Sequence, residues 1–271
     1  MKTILSKSSS QLAFLYAVPI GLLGGLMGLG GAEFRLPVLV SSLGYSPRQA
    51  VPLNLAVSLA TIIASLGIRG QTLSLSSLVP LARAVLSLIA GAAITAFCGA
   101  TLAGKLSSKR LEQIILVLLV SIGCALIVEG FLPQAGRGLV PATPTWHIGM
   151  GLLFGLVIGL VSSLLGVAGG ELIIPTLVFA FGADIKTAGT GSLIISLPTV
   201  LIGIMRYGSQ RAFADRRPLR ETVAPMSLGS VIGAIAGGML VGAISPSVLK
   251  VVLGIILNIS AFRVFHHTKP A

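Results

Sequence analysis

Past the first ten residues, apolar positions run together in long blocks, and polar positions gather in the short stretches between them. Blocks at 50–67, 79–104, 111–131, 148–166, 223–241 and 248–265 approach or meet the length of a membrane span, and a further block closes at 198–204. A spanning α-helix needs about 20 mostly apolar residues. Strands of a transmembrane barrel would alternate apolar and polar positions, and these blocks do not. The pattern predicts an all-α polytopic membrane protein.

The opening region, Gln11 to Gly44, has a different texture. An apolar helix is expected to end near Met27, followed by the stretch GLGGAEFRLP at 28–37 and a short arm from Phe34 to Gly44. About eleven helical residues rise about 16 Å, half a bilayer. Two arrangements fit: a re-entrant hairpin with its turn at membrane depth, or a full helix followed by a short tilted one.

Composition agrees with the pattern. Only 10% of the 271 residues are charged and 54% are hydrophobic, with mean hydropathy +1.01; soluble domains carry about a quarter charged residues. The net charge of +12 raises nucleic acid or anionic lipid as partners. The basic residues sit in short clusters between apolar blocks, however, as topology signals do, so the expected environment is a lipid bilayer with no nucleic acid. The first block follows Lys2 and Lys7 and runs on without a small-residue cleavage site, which predicts a retained helix. Cys98 and Cys124 fall in different predicted helices and read as small buried residues, with no disulfide, metal or cofactor implied.

Sliding the chain by 138 residues lays 28–70 on 166–208 without a gap, and thirteen of the 43 positions are identical. Shared composition alone gives about four or five. The matches include Gly28, Gly31, Glu33, Pro37, Ser58 and Thr61, and GVAGGELIIP at 166–175 repeats the opening motif with its glutamate. The expected organisation is therefore a first repeat over 1–132, an extracytoplasmic linker over 133–146 and a second repeat over 147–271.

Basic residues predict how the copies are oriented. The stretch from Arg69 to Pro80 carries one charge, whereas its counterpart carries Arg206, Arg211, Arg216 and Arg217 against Asp215. The next connection reverses the bias, with Lys105, Lys109 and Arg110 in the first copy and Lys250 in the second. Equivalent loops thus prefer opposite sides. With Lys2 and Lys7 inside, 69–80 and 132–146 lie outside, and both termini are cytoplasmic. The repeats are expected to be inverted, with six full crossings and two broken-helix hairpins.

Inverted repeats with interrupted helices place substrates near the midplane in secondary transporters. Irregular backbone in a membrane is tolerated where it is buried in protein or lines a watery cavity. Gly28, Gly30 and Gly31, and Gly166, Gly169 and Gly170, are candidate breaks. The arms would restart as helices near Phe34 and Leu172 with Pro37 and Pro175 in the first turn, and their freed N–H groups would favour an anion. A carboxylate at mid-membrane costs about 2.5–3.5 kcal/mol on insertion scales, so Glu33 and Glu171 call for a role: carrying a proton, holding a cation, or accepting from the break. Asn54, Ser58 and Thr61, matched by Ser192, Ser196 and Thr199, share one helix face in each copy. Gly189, Gly191 and Pro198 predict a second irregular helix around Thr190. Arg35 has no counterpart, Ile173 holding its place; it pairs with Glu33, snorkels to an interface, or binds an anion. Gly21–Gly25 and Gly155–Gly159 spacing reads as close helix packing. Arg83, Arg206 and His147 read as interfacial residues.

GLLGGLMGLGGAEFRLPVLV and GLVIGLVSSLLGVAGGELIIPTLV, each followed by a small-residue helix, resemble the TauE/SafE sulfite-exporter family of membrane transporters. The resemblance covers essentially the whole chain. It implies movement of sulfite or a small sulfur-containing organic anion across the inner or plasma membrane, coupled to an ion gradient with the proton as expected partner. The candidate substrate-binding positions are Gly30, Gly31, Ala32, Arg35, Asn54, Ser58, Thr61, Gly169, Gly170, Thr190, Ser192, Ser196 and Thr199, with Glu33 and Glu171 as candidate coupling residues. A passive anion channel and a membrane assembly factor are the alternatives. No His-Glu-x-x-His, intramembrane aspartate pair or Ser–His arrangement suggests an enzyme.

Overall fold

A computed structural model describes residues 2–103, 108–131, 138–165 and 169–266, all of the regular structure in them being helical. The helices are α1 (Lys2–Met27), α2 (Ala32–Pro37), α3 (Pro47–Thr72), α4 (Ala82–Ala103), α5 (Ser108–Phe131), α6 (Pro144–Leu165), α7 (Gly170–Pro175), α8 (Ile185–Ser209), α9 (Arg216–Pro218), α10 (Ala224–Leu240) and α11 (Pro246–His266). Six stretches among the described residues are long and apolar enough to span a bilayer: Ser9–Met27, Gln49–Thr72, Leu75–Ala96, Pro144–Ser162, Ile185–Ser209 and Arg216–Leu240. Their outer faces carry exposed Leu15, Ile63, Leu86, Leu153, Met205 and Leu228. Such side chains suit a hydrocarbon surround and would be costly in water.

Glycine sets how closely the helices approach. A Cβ on Gly21 or Gly25 of α1 would overlap the carbonyls of Ser230 or Ala234 in α10, and one on Gly155 would lie 2.5 Å from the carbonyl of Leu88 in α4. The Gly-x-x-x-Gly spacing seen in the sequence is thus used for packing, as small residues are in membrane bundles. The order of contacts also gives direction. Gly21, Gly25 and Gly237 meet Ser230, Ala234 and Leu22, so α1 and α10 run parallel, as do α4 and α6 through Gly91, Gly151 and Gly159.

Elements 138 residues apart pack on each other in the opposite sense. Gly203 meets Leu55 while Thr190 meets Arg69, so α3 and α8 are antiparallel. Gly123 meets Asn258 and Gly130 meets Val251, which makes α5 and α11 antiparallel too. The packing partners exchange with the repeat: α1 lies on α10 as α6 lies on α4, and α3 on α10 as α8 on α4.

The opening region is a helix long enough to span a bilayer followed by a short arm that folds back beside α3. Tyr45 meets Thr222 before α3 begins, and Thr72 reaches Gly238 at its end, so α3 runs parallel to α10 and hence to α1. Gly24 of α1 lies level with Thr61 of α3, and the arm after the break leads back to the start of α3. Gly28, Gly30 and Gly31 turn the chain at φ 84°, 76° and 73°, a region open chiefly to glycine. The prolines sit later than first-turn positions: Pro37 and Pro175 close α2 and α7. Each lacks the N–H that would continue the α ladder, and π-helical turns follow at Val38–Ser42 and Thr176–Ala180.

Three expectations are corrected. Pro198 and both glycines lie inside an uninterrupted α8, so no second irregular helix is present. Arg69 belongs to α3 and is buried, 1% exposed, instead of opening an outer loop. Cys124 is exposed, with its Sγ 4.0 Å from Asn258 Oδ1; the Cys98 side chain lies outside the described residues.

Candidate functional site

The two breaks meet. A Cβ on Gly28 would overlap the carbonyl of Gly189 in α8, and one on Gly170 would lie 3.1 Å from the Cα of Leu29. Backbone of the first break therefore lies against the second break and the start of the helix that follows it. Gly31 and Gly169, both left-handed, cap the two short arms. All fifteen candidate positions are buried: Gly30, Gly31, Ala32, Glu33 and Arg35 around the first arm, Asn54, Ser58 and Thr61 in α3, Gly169, Gly170 and Glu171 around the second arm, and Thr190, Ser192, Ser196 and Thr199 in α8.

Arg35 binds the first copy's polar stripe. Its Nε donates to Asn54 Oδ1 at 3.2 Å, Nη1 to Thr61 Oγ1 and Ser230 Oγ at 3.0 Å each, and Nη2 to Gly30 O at 2.6 Å and Ser58 Oγ at 2.7 Å. A guanidinium has five N–H donors, and all five are engaged. Asn54 in turn donates to Ala32 O at 2.9 Å, and Ser58 and Thr61 donate to the carbonyls one turn back. Arg35 neither snorkels nor forms an ion pair with Glu33, although Glu33 lies within electrostatic reach. It pins the arm to α3 and, through Ser230, to α10.

A second buried guanidinium holds the other side of the break. Arg69 Nε donates to Gly25 O at 3.0 Å and Nη2 to Leu26 O at 2.7 Å, carbonyls of α1's last turn that the helix leaves without partners. Its Nη1 reaches across the repeats to Lys186 O at 3.1 Å and Thr190 Oγ1 at 2.9 Å. Gly189 makes the room, since a Cβ there would lie 2.8 Å from Nη1. Cations near a helix C-terminus also gain from its dipole. Nothing in the spacing of Arg69 predicts this role, because its partners lie up to 121 positions away; the α3 stripe extended through Ser65 to Arg69 was the available signal. Ser65 is likewise buried, with no partner for its hydroxyl.

The second copy lacks both arginines, having Ile173 and Tyr207 instead. Its stripe is differently used: Thr199 donates to Ile195 O, while Ser192, the counterpart of Asn54, is fully buried with no partner for Oγ. The remaining group is Glu33. Both its carboxyl oxygens are buried without a hydrogen-bond partner. Glu171 of the other repeat and Arg35 are close enough to act on it electrostatically, as is its own backbone N–H.

Two glycine-broken helices, back to back inside a polytopic bundle and each carrying a buried glutamate, define a membrane protein on the plan of a transporter. The chain belongs to the Sulfite exporter TauE/SafE family, matching it over residues 3–126 and 151–271. Over 117 residues, 42% of the chain, it is 32% identical to the Probable membrane transporter protein YunE of Bacillus subtilis (strain 168); that match spans 40% of the relative's length. Family and relative are described as membrane transporters and not as enzymes.

Proposed function

We propose that this chain is a secondary transporter of a small anion, sulfite or a sulfur-containing organic anion, working by alternating access of two inverted repeats. The antiparallel packing of α3 on α8 and of α5 on α11 supports the inversion. The charge bias of the loops supports cytoplasmic termini in an inner or plasma membrane.

One observation carries the mechanism: Glu33 is buried with no hydrogen-bond partner for either oxygen, across from the carboxylate of Glu171. An ionised carboxylate in such a setting is costly without a partner, and a proton is the smallest one available. Proton transfer on and off Glu33, with Glu171 as the second acid, is the coupling step. The anion sits between the breaks, against Gly30, Gly31, Gly169 and Gly170, and receives the unspent hydroxyl of Ser192 beside Thr190, Ser196 and Thr199. Arg35, with Asn54, Ser58 and Thr61, forms the fixed wall of the site, since its donors are spent within the protein.

Labelled sulfite and methanesulfonate offered to proteoliposomes test the reading. A saturable, gradient-coupled flux supports a carrier; flux linear in substrate and indifferent to a second gradient supports a channel. Absence of flux with stable co-purification of another membrane protein supports an assembly role.

A further inference from the structure

A cavity of about 800 Å³ opens beside the N-terminus of α8, lined by Ser77, Arg83, Val140, His147, Asp184 and Thr187 among others. Its wall is the connection before α6, which is tied to the second arm: Leu139 N donates to Phe179 O and Val140 N to Ala180 O, both at 2.9 Å. His147 stands edge-on to Phe181, ring centroids 5.3 Å apart. Arg83 is the second residue of α4 and exposed, one turn before Ser87, whose hydroxyl donates to His147 O near the start of α6. Its side chain lines the cavity, and among the described residues its guanidinium has no ion pair or hydrogen bond.

The charges around the cavity favour an anion. Asp184, the carboxylate there, accepts from the N–H groups of Lys186 and Thr187 and lies within electrostatic reach of Arg69, so its charge is already engaged. Lys186 turns away to donate to Gly242 O. The cavity floor is the first turn of α8, the same turn that Arg69 ties to the first break. The opposite end of the bundle is unlike it. The counterpart of Arg83 is Glu221, which is paired with Arg217 at 3.0 Å.

We propose that this cavity is the vestibule that gathers a small oxyanion at one end of the transporter, with Arg83 as its attracting charge; this rests on the small-anion reading above. A cation at the mouth of a low-dielectric cavity, where the one lining carboxylate is held by backbone N–H groups, raises the local concentration of an anion. Sulfite is the transport probe. Trp146, the chain's one tryptophan and the residue before His147, is the optical probe, its fluorescence quenched by iodide or by neutral acrylamide. Arg83→Gln is expected to raise the KM for sulfite presented at the Arg83 end about tenfold while leaving the maximal rate within about twofold. It is also expected to weaken iodide quenching of Trp146 without changing acrylamide quenching, and Arg83→Lys should keep most of both. An unchanged KM at that end, an equal rise at both ends, or unchanged iodide quenching overturns the proposal. If the wild-type chain moves no sulfite, the transport reading fails on its own, and the quenching comparison still decides the vestibule.

Discussion

Arg69 and Thr190 are 121 positions apart in the chain and 2.9 Å apart in the structure. Through that contact and the carbonyls of Gly25 and Leu26, one buried guanidinium joins the end of α1, the end of α3 and the start of α8. The first break is thereby held on one side by Arg69 and on the other by Arg35, whereas the second copy has neither arginine. The two matching stretches therefore differ in the side chains that hold their breaks.

Removing the Arg69 contact is expected to be costly. Arg69→Met leaves the buried carbonyls of Gly25 and Leu26 without their donor, each such loss costing about 1–3 kcal/mol, and takes one donor from Lys186 O and Thr190 Oγ1, which still bond each other. The detergent-solubilised variant should melt well below the wild type, with Arg69→Lys in between because an ammonium does not match the fork geometry. Thermal melts of the three proteins check this; equal melting temperatures would show the contact to be idle.

A glycine in the first break and one inside a helix should respond differently. Gly28→Ala combines a left-handed φ of 84° with a Cβ overlapping the Gly189 carbonyl, so it should abolish folding or transport. Gly67→Ala, in α3 with open space around it, should be neutral or stabilising by up to about 1 kcal/mol. Expression level and melting temperature of the pair give the comparison.

The repeat supplies its own compensation test for Arg35. Arg35→Ile, copying Ile173, takes the donor from Gly30 O, Asn54 Oδ1 and the hydroxyl oxygens of Ser58, Thr61 and Ser230 and should destabilise by about 3 kcal/mol or more. Adding Asn54→Ser, copying Ser192, removes the Oδ1 left without its donor and should recover part of the loss. A double-mutant cycle reads the coupling directly; strict additivity would mean the two side chains are independent.

Much of this architecture was legible before the structure. The doubled Gly-x-Glu-x-x-x-Pro motif located both breaks, because a glycine cluster in an apolar run has a local backbone cause. The polar stripe Asn54, Ser58 and Thr61 followed from helical periodicity. What the stripe binds did not, since Arg35 finds Ser230 at a separation of 195 residues and no local rule encodes that. Arg69 was misplaced for a related reason: a charge ending an apolar block looks like a loop boundary until tertiary partners for it exist. Pro198 misled in the other direction, because a helix packed on both sides tolerates a proline that an isolated one would not.

Glu33 carries the central claim, and its coupling is tested most directly by driving labelled sulfite with an imposed pH gradient at zero membrane potential. Wild-type proteoliposomes should accumulate the anion against its gradient. Glu33→Gln, isosteric and unable to give up a proton, should still equilibrate sulfite downhill but lose the accumulation. Accumulation of wild-type magnitude in Glu33→Gln and in the Glu33→Gln, Glu171→Gln double variant would contradict the account.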